Sequence, residues 1–257
     1  MPSGTSMLTR SLIMLCSACV VLLFSACATI DIENIKQAEN HNKMGATYMS
    51  DGKINEAYTE FQKAILLDPK NKESLNQLGY LSALFKKYDD AISYYRRAIA
   101  SDPGYSDAMN NLGVLYLELE NWDEAIKSFN STLNNPLYQS PERALTNMGY
   151  AYYRKGEYLK AENYLKEAVI RNPVFSIAYY TLGLVYVKYG NDEAAIDEFQ
   201  KAIGIMPNYM DAHWEVANAY RRLDLTEEAL KHFKIIAEKD TDIKRSREAL
   251  QYMELLK

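Results

Sequence analysis

The sequence predicts an all-α, right-handed solenoid of six helix-turn-helix units with a C-terminal capping helix. Three observations carry that expectation. A small residue recurs at Gly45, Gly79, Gly113, Gly149, Gly183 and Ala217, at spacings of 34, 34, 36, 34 and 34. An alanine stands twelve residues after each, at Ala57, Ala91, Ala125, Ala161, Ala195 and Ala229. A bulky side chain stands sixteen after each, at Phe61, Tyr95, Phe129, Leu165, Phe199 and Phe233. A constant register of small and large residues at such a period marks units that cannot bury an apolar face alone and must stack.

Residues 1–26 read as a secretory signal peptide. Arg10 supplies a positive start, Leu12 to Phe24 is nearly all apolar, and Ser25-Ala26 is a small pair. The apolar run is shorter than the roughly 20 residues of a membrane-spanning helix. Met7-Leu8-Thr9-Arg10 makes an equally good start. Residues 27–37 are expected to be a tether. The repeats are placed at 38–71, 72–105, 106–141, 142–175, 176–209 and 210–243. Pro69, Pro103, Pro173 and Pro207 end second helices, because proline lacks an N–H and restricts the residue before it. Asp89-Asp90 and Glu227-Glu228 suit the first turns of second helices, where carboxylates complement the helix dipole. The third repeat is two residues longer, and Pro136 and Pro141 break the helix across 134–141. Residues 244–257 should form the capping helix, with Ala249, Leu250, Met253 and Leu256 on one side.

This pattern resembles the tetratricopeptide repeat over nearly the whole chain after the leader. The resemblance implies partner binding on a concave face built from first helices. The fifth position of each first helix, which points inward in that family, reads Asn42, Asn76, Asn110, Thr146, Tyr180 and Trp214. An amide both donates and accepts, so a ladder of Asn42, Asn76 and Asn110 suits an extended peptide; tolerance on an exposed face is the plainer reading. The first half also offers Glu39, Glu73, Asp107 and Glu118. The second half offers Tyr150, Tyr153, Arg154, Tyr180, Lys188, Trp214, Arg221 and Arg222, of the types enriched at binding hot spots. Tyr180 and Trp214 are expected side by side as anchors, with the basic residues holding acidic groups.

Other chemistry finds little footing. A net charge of −5 gives no basic stripe for nucleic acid. His41, His213 and His232 lack metal-ligand spacing, and packing explains His41 and His213 better, since both occupy the fourth position of a repeat. No phosphate loop or framed nucleophile appears, so neither a cofactor, a metal nor an enzymatic activity is expected. After cleavage Cys27 is the single cysteine left, and no disulfide forms within one chain.

Leu23-Phe24-Ser25-Ala26-Cys27 resembles the lipobox of bacterial lipoproteins. That resemblance implies diacylation of Cys27, cleavage before it and acylation (commonly palmitate) of the new amine; an ordinary cleaved leader is the alternative. Ala28 after the cysteine implies sorting to the outer membrane, on its periplasmic face. Leu137-Tyr138-Gln139-Ser140-Pro141-Glu142-Arg143 falls where the period slips. With lipobox and repeats it resembles the outer-membrane lipoproteins of type IV pilus biogenesis. The resemblance implies a pilotin that escorts a secretin subunit and assists its assembly, with the groove or the 134–143 insertion as the interface. An adaptor for peptidoglycan-remodelling enzymes shares the anchor and the fold and stays open.

Overall fold

A computed structural model describes residues 32–256. The leader, Cys27 and the start of the tether lie outside them. The described residues form thirteen helices and no strand. They are α1 (32–50), α2 (Ile54–Leu67), α3 (Lys72–Leu84), α4 (Tyr88–Ser101), α5 (Ser106–Glu118), α6 (Trp122–Leu133) and α7 (Pro141–Arg154), followed by α8 (Tyr158–Arg171), α9 (Ser176–Lys188), α10 (Asp192–Ile205), α11 (Met210–Arg222), α12 (Thr226–Lys239) and α13 (Ile243–Leu255). Two compact units result, one ending at Ala108 and the other beginning at Met109.

The repeat register is visible in the packing. All six plus-twelve alanines are fully buried, and each plus-sixteen side chain is at most 2% exposed. The glycine sites exist because these side chains lie against them. A methyl group would come within 2.7 Å of Phe61 at Gly45 and 2.5 Å of Phe129 at Gly113, closer than real side chains approach. The last repeat tolerates Ala217 there, fully buried beside Phe233.

The turn between the two helices of each unit is the same six times over. The backbone N–H groups of Lys53, Lys87, Asn121, Glu157, Asn191 and Leu225 donate to the carbonyls of Tyr48, Ser82, Tyr116, Tyr152, Tyr186 and Tyr220 at 2.8–3.0 Å. This six-to-one bond is the Schellman closure of a helix, and it places the residue before the donor in the left-handed region. Gly52, Gly156 and Gly190 fill that position with φ of 70–79°. Lys86, Glu120 and Asp224 adopt it too, at 57–58°, despite carrying side chains.

The links between repeats use a different device. Asp68, Asp102, Asn172 and Asp240 each accept, through the side chain, the N–H two residues on, at 2.9–3.2 Å. These Asx turns mimic a backbone turn and stop the second helix. Asn135 does the same for Leu137 in the insertion, where α6 ends and α7 starts on Pro141.

The two ends add detail to the tether and correct one expectation of the cap. Residues 32–37 are helical and continuous with α1, so the described part of the tether is helix. The Gln37 amide donates to Glu33 at 3.1 Å, a four-residue pair that supports the helix. In α13 Leu250 is 50% exposed and does not join the capping face. Tyr252 takes part instead, stacking on Phe233 with ring centroids 5.0 Å apart beside buried Ala249 and half-buried Met253 and Leu256. A flat ring covers the terminal phenylalanine more completely than a branched chain does.

Candidate functional site

In the second unit, successive first helices bring Tyr153 on α7, Tyr180 on α9 and Glu215 on α11 into one electrostatic neighbourhood. Burial raises the pKa of both tyrosine hydroxyls, and the charge of Glu215 raises them further. Tyr180 packs at 4.9 Å on Tyr209 and at 5.7 Å on Phe199, one of the plus-sixteen rings. Trp214 repeats that arrangement one unit later, edge-on to Phe233 at 5.7 Å and to Tyr252 at 6.0 Å. Between these rings and the start of α13 lies a cavity of about 310 Å³. Asp211 and Glu215 reach it from α11, and Arg245 and Glu248 from α13.

A match to tetratricopeptide-repeat sequences covers residues 42–106, 85–140 and 146–209. The chain belongs to the tetratricopeptide repeat family. Solved structures agree with that fold. The crystal structure of PilW, a widely conserved type IV pilus biogenesis factor, is 21% identical with a TM-score of 0.77, over 83% of this chain and 98% of that one. Pseudomonas aeruginosa PilF is 16% identical with a TM-score of 0.74, over 85% and 99%. YrrB, a repeat protein with an unusual peptide-binding site, is 21% identical with a TM-score of 0.56, over 70% and 93%. Tetratricopeptide repeats are protein-interaction scaffolds, and the placement of this chain's own residues shows which part of the scaffold is available.

The asparagine ladder is not on display. Asn76 and Asn110 are 5% and 3% exposed. Asn76 bonds the Tyr105 side chain, and Asn42 accepts the Ser74 hydroxyl at 2.9 Å. Thr146 is also buried and donates to its own helix at the Glu142 carbonyl. The tetratricopeptide fifth position here is a packing position: a short side chain is enclosed by the neighbouring repeat. Tyr180 and Trp214 are too large to be enclosed, and they wall the cavity as half-core, half-surface residues. The two rings therefore line one cavity, and neither is independent of the core.

The basic residues are mostly engaged within the chain. Arg154 donates to the Tyr150 hydroxyl at 2.9 Å and to Glu120 at 3.0 Å, and its guanidinium lies 4.6 Å from the Trp122 ring. Those two partners hold its pKa above the ordinary arginine value. Arg222 grips both oxygens of Asp192 at 2.6–3.0 Å, which raises its pKa as well. Arg221 lies over the Tyr252 ring at 4.9 Å. Lys188 is exposed and makes no ion pair with a described residue. Tyr150 stacks on Tyr153 at 6.2 Å. The expected row of cations waiting for acidic groups is thus largely a row of closed pairs.

His213 bears out the packing expectation and belongs to a pair the sequence did not reveal. His213 is 3% exposed, and its Nδ1 lies 2.8 Å from Nδ1 of His232. Its Nε2 lies 3.0 Å from the Pro207 carbonyl, which can only accept, so Nε2 carries the proton and Nδ1 accepts from His232. Burial lowers both pKa values below the ordinary 6.5, that of His232 to about 4 with help from His213. His41 and Glu60 occupy the equivalent pair of positions in the first repeat, 2.6 Å apart. The signal was their common 19-residue separation. No cluster of three metal-binding side chains exists among the described residues, and none of their helices is long and apolar enough to cross a membrane.

Proposed function

We propose that this chain is an outer-membrane lipoprotein scaffold that holds a protein partner on the first-helix face of its second unit. The observation that carries the reading is the cavity between Tyr180, Trp214 and α13. It combines two aromatic walls with unequal charges, the composition of a recognition site rather than of a packed core. Anchorage through Cys27 is supported by the lipobox alone. Acyl chains would add membrane affinity of about 0.8 kcal/mol per buried methylene.

The partner we favour is a secretin subunit of the type IV pilus system. Support comes from the Leu137-Tyr138 and Pro141-Glu142-Arg143 segment and from a fold shared with PilW and PilF along nearly their whole lengths. In this reading the chain catalyses nothing; it escorts. Affinity capture from crosslinked envelopes tests the reading. Wild-type protein should retain a secretin, and Trp214→Ala should retain little, since hot-spot truncation costs about 2 kcal/mol or more, roughly thirtyfold. A Lys188→Glu variant, altered at an exposed position, separates surface loss from core damage. Capture of a cell-wall hydrolase by the wild type, with secretin multimers unchanged when the chain is deleted, would replace the secretin reading with the adaptor reading. Cys27→Ser should release the protein from the membrane fraction.

A further inference from the structure

The cavity beside Trp214 has a balance of charges that the sequence did not suggest. Its cations are accounted for. Arg245 pairs with both Asp211 and Asp240, and Asp240 holds it firmly protonated. Lys244 lies 4.0 Å from Glu248. Among the acids, Asp242 caps α13 by accepting the N–H groups of Lys244 and Arg245 at 2.9 and 3.3 Å. Glu215 is the exception. It is half-buried on α11, forms no hydrogen bond or ion pair with a described residue, and burial, with the nearby charge of Asp211, raises its pKa against the distant pull of Arg222 and Lys188. Arg222 is already committed to Asp192. Four carboxylates against two cations leave the lining negative: Asp211, Glu215, Asp242 and Glu248 against Lys244 and Arg245.

We propose that this cavity receives one arginine side chain from the partner, its guanidinium paired with Glu215 and its stem held between Tyr180 and Trp214. A carboxylate half-removed from water without a partner is poorly satisfied alone, and a charge-assisted bond to an incoming cation relieves it. Arginine suits the walls better than lysine, because its flat guanidinium stacks on aromatic rings while bonding a carboxylate through two N–H groups. A volume of about 310 Å³ fits one long side chain, at the small end of ligand cavities, which start near roughly 300 Å³. The recognised segment is therefore basic at this point, the reverse of the acidic partner that Arg154, Arg221 and Arg222 suggest by sequence.

This inference rests on the second unit's first-helix face being the partner surface, and the test separates the two. The probe is a blocked Gly-Arg-Gly tripeptide at pH 7.5, followed through the indole N–H signals of Trp214 and Trp122 by NMR. Saturable movement of the Trp214 signal is expected, with the Trp122 signal fixed. Citrulline in place of arginine keeps the shape and loses the charge, and should bind at least tenfold more weakly, as should Glu215→Gln with the arginine probe. Glu215→Gln is isosteric, and an unchanged thermal melt shows it folded. Equal binding of a Gly-Glu-Gly probe, or arginine binding indifferent to Glu215→Gln, overturns the proposal. If the tripeptide fails while Trp214→Ala still abolishes partner capture, the arginine pocket is wrong and the face stands. If capture survives Trp214→Ala as well, the face itself is wrong.

Discussion

At the fifth position of their first helices the first unit holds Asn42 and Asn76, and the second unit ends with Tyr180 and Trp214. The position is equivalent, yet the outcomes are opposite. The short amides are spent on hydrogen bonds to Ser74 and Tyr105. The rings rest one edge on the core phenylalanines and turn the rest to a cavity. A repeat register therefore fixes which way a side chain points, and side-chain size decides whether that direction ends inside a close-packed contact or at an open wall.

The harshest test of that contrast removes the support beneath a ring. Phe233 carries both Trp214 and Tyr252, so Phe233→Ala should cost about 3–5 kcal/mol and shift Trp214 fluorescence to the red. A urea midpoint barely moved, with unshifted fluorescence, would mean the rings stand on the surface independently of the core. Next in size is the glycine site. Gly113→Ala forces a methyl against Phe129, and an overpacking cost of about 1–3 kcal/mol, less the roughly 1 kcal/mol that alanine contributes to a helix, leaves a net loss of up to about 2 kcal/mol. If it stabilises instead, the close approach at that repeat is not what glycine is for, and Ala217 is no exception.

The amides themselves sharpen the comparison. Asn76→Leu strands the Tyr105 hydroxyl and should cost about 1 kcal/mol, whereas Asn110→Leu should cost less than about 0.5 kcal/mol or even stabilise. The difference arises because the Asn110 side-chain oxygen is buried without a hydrogen-bond partner. Equal midpoints for the two variants would show that the ladder is held by something other than hydrogen bonding.

Smallest at neutral pH is the histidine pair. Both imidazoles titrate below 6.5 in the fold, His232 near 4. As pH falls, the unfolded chain takes up protons first, so the pair's stability is complete above about pH 6.5 and is lost as pH falls toward 4. The fourth repeat carries Leu145 and Tyr164 at the same two positions. Grafting them as His213→Leu with His232→Tyr should leave stability at pH 7.5 nearly unchanged and flatten its fall between about 6.5 and 4 in denaturation curves. A fall of unchanged steepness across that window would show that the pair does not carry the acid response; carboxylates such as Glu60, which Lys63 and His41 hold below the ordinary value, act only at lower pH still.

Much of the fold was legible because helix packing leaves a periodic record. Ala125 and Phe129 could be read as core from spacing alone, and both are fully buried. The cavity was half legible: Tyr180 and Trp214 share it as their 34-residue separation suggested. Its charge was not legible. Arg222 looks available in sequence, and only three dimensions reveal Asp192 thirty residues back holding its Nε and Nη2 donors. Glu215 stayed hidden for the opposite reason, since nothing in a lone glutamate between two core residues announces that it lacks a partner. Leu250 misled because helical periodicity ranks apolar residues by angle and says nothing of which one meets a flat ring.

The left-handed turns inside each repeat have an evolutionary consequence. Gly52, Gly156 and Gly190 make that turn without strain, and Lys86, Glu120 and Asp224 make it at a left-handed cost of roughly 1–2 kcal/mol. The six Schellman bonds are equally short in both groups. A duplicated unit can thus drift from its siblings at this corner without losing the corner. Glu120 shows what the drift can acquire: from a site where glycine would have been easier, its carboxylate reaches Arg154, thirty-four residues on. Repeats of one architecture can thus differ at such corners for small local penalties, and their exposed faces can differ while the scaffold stays constant.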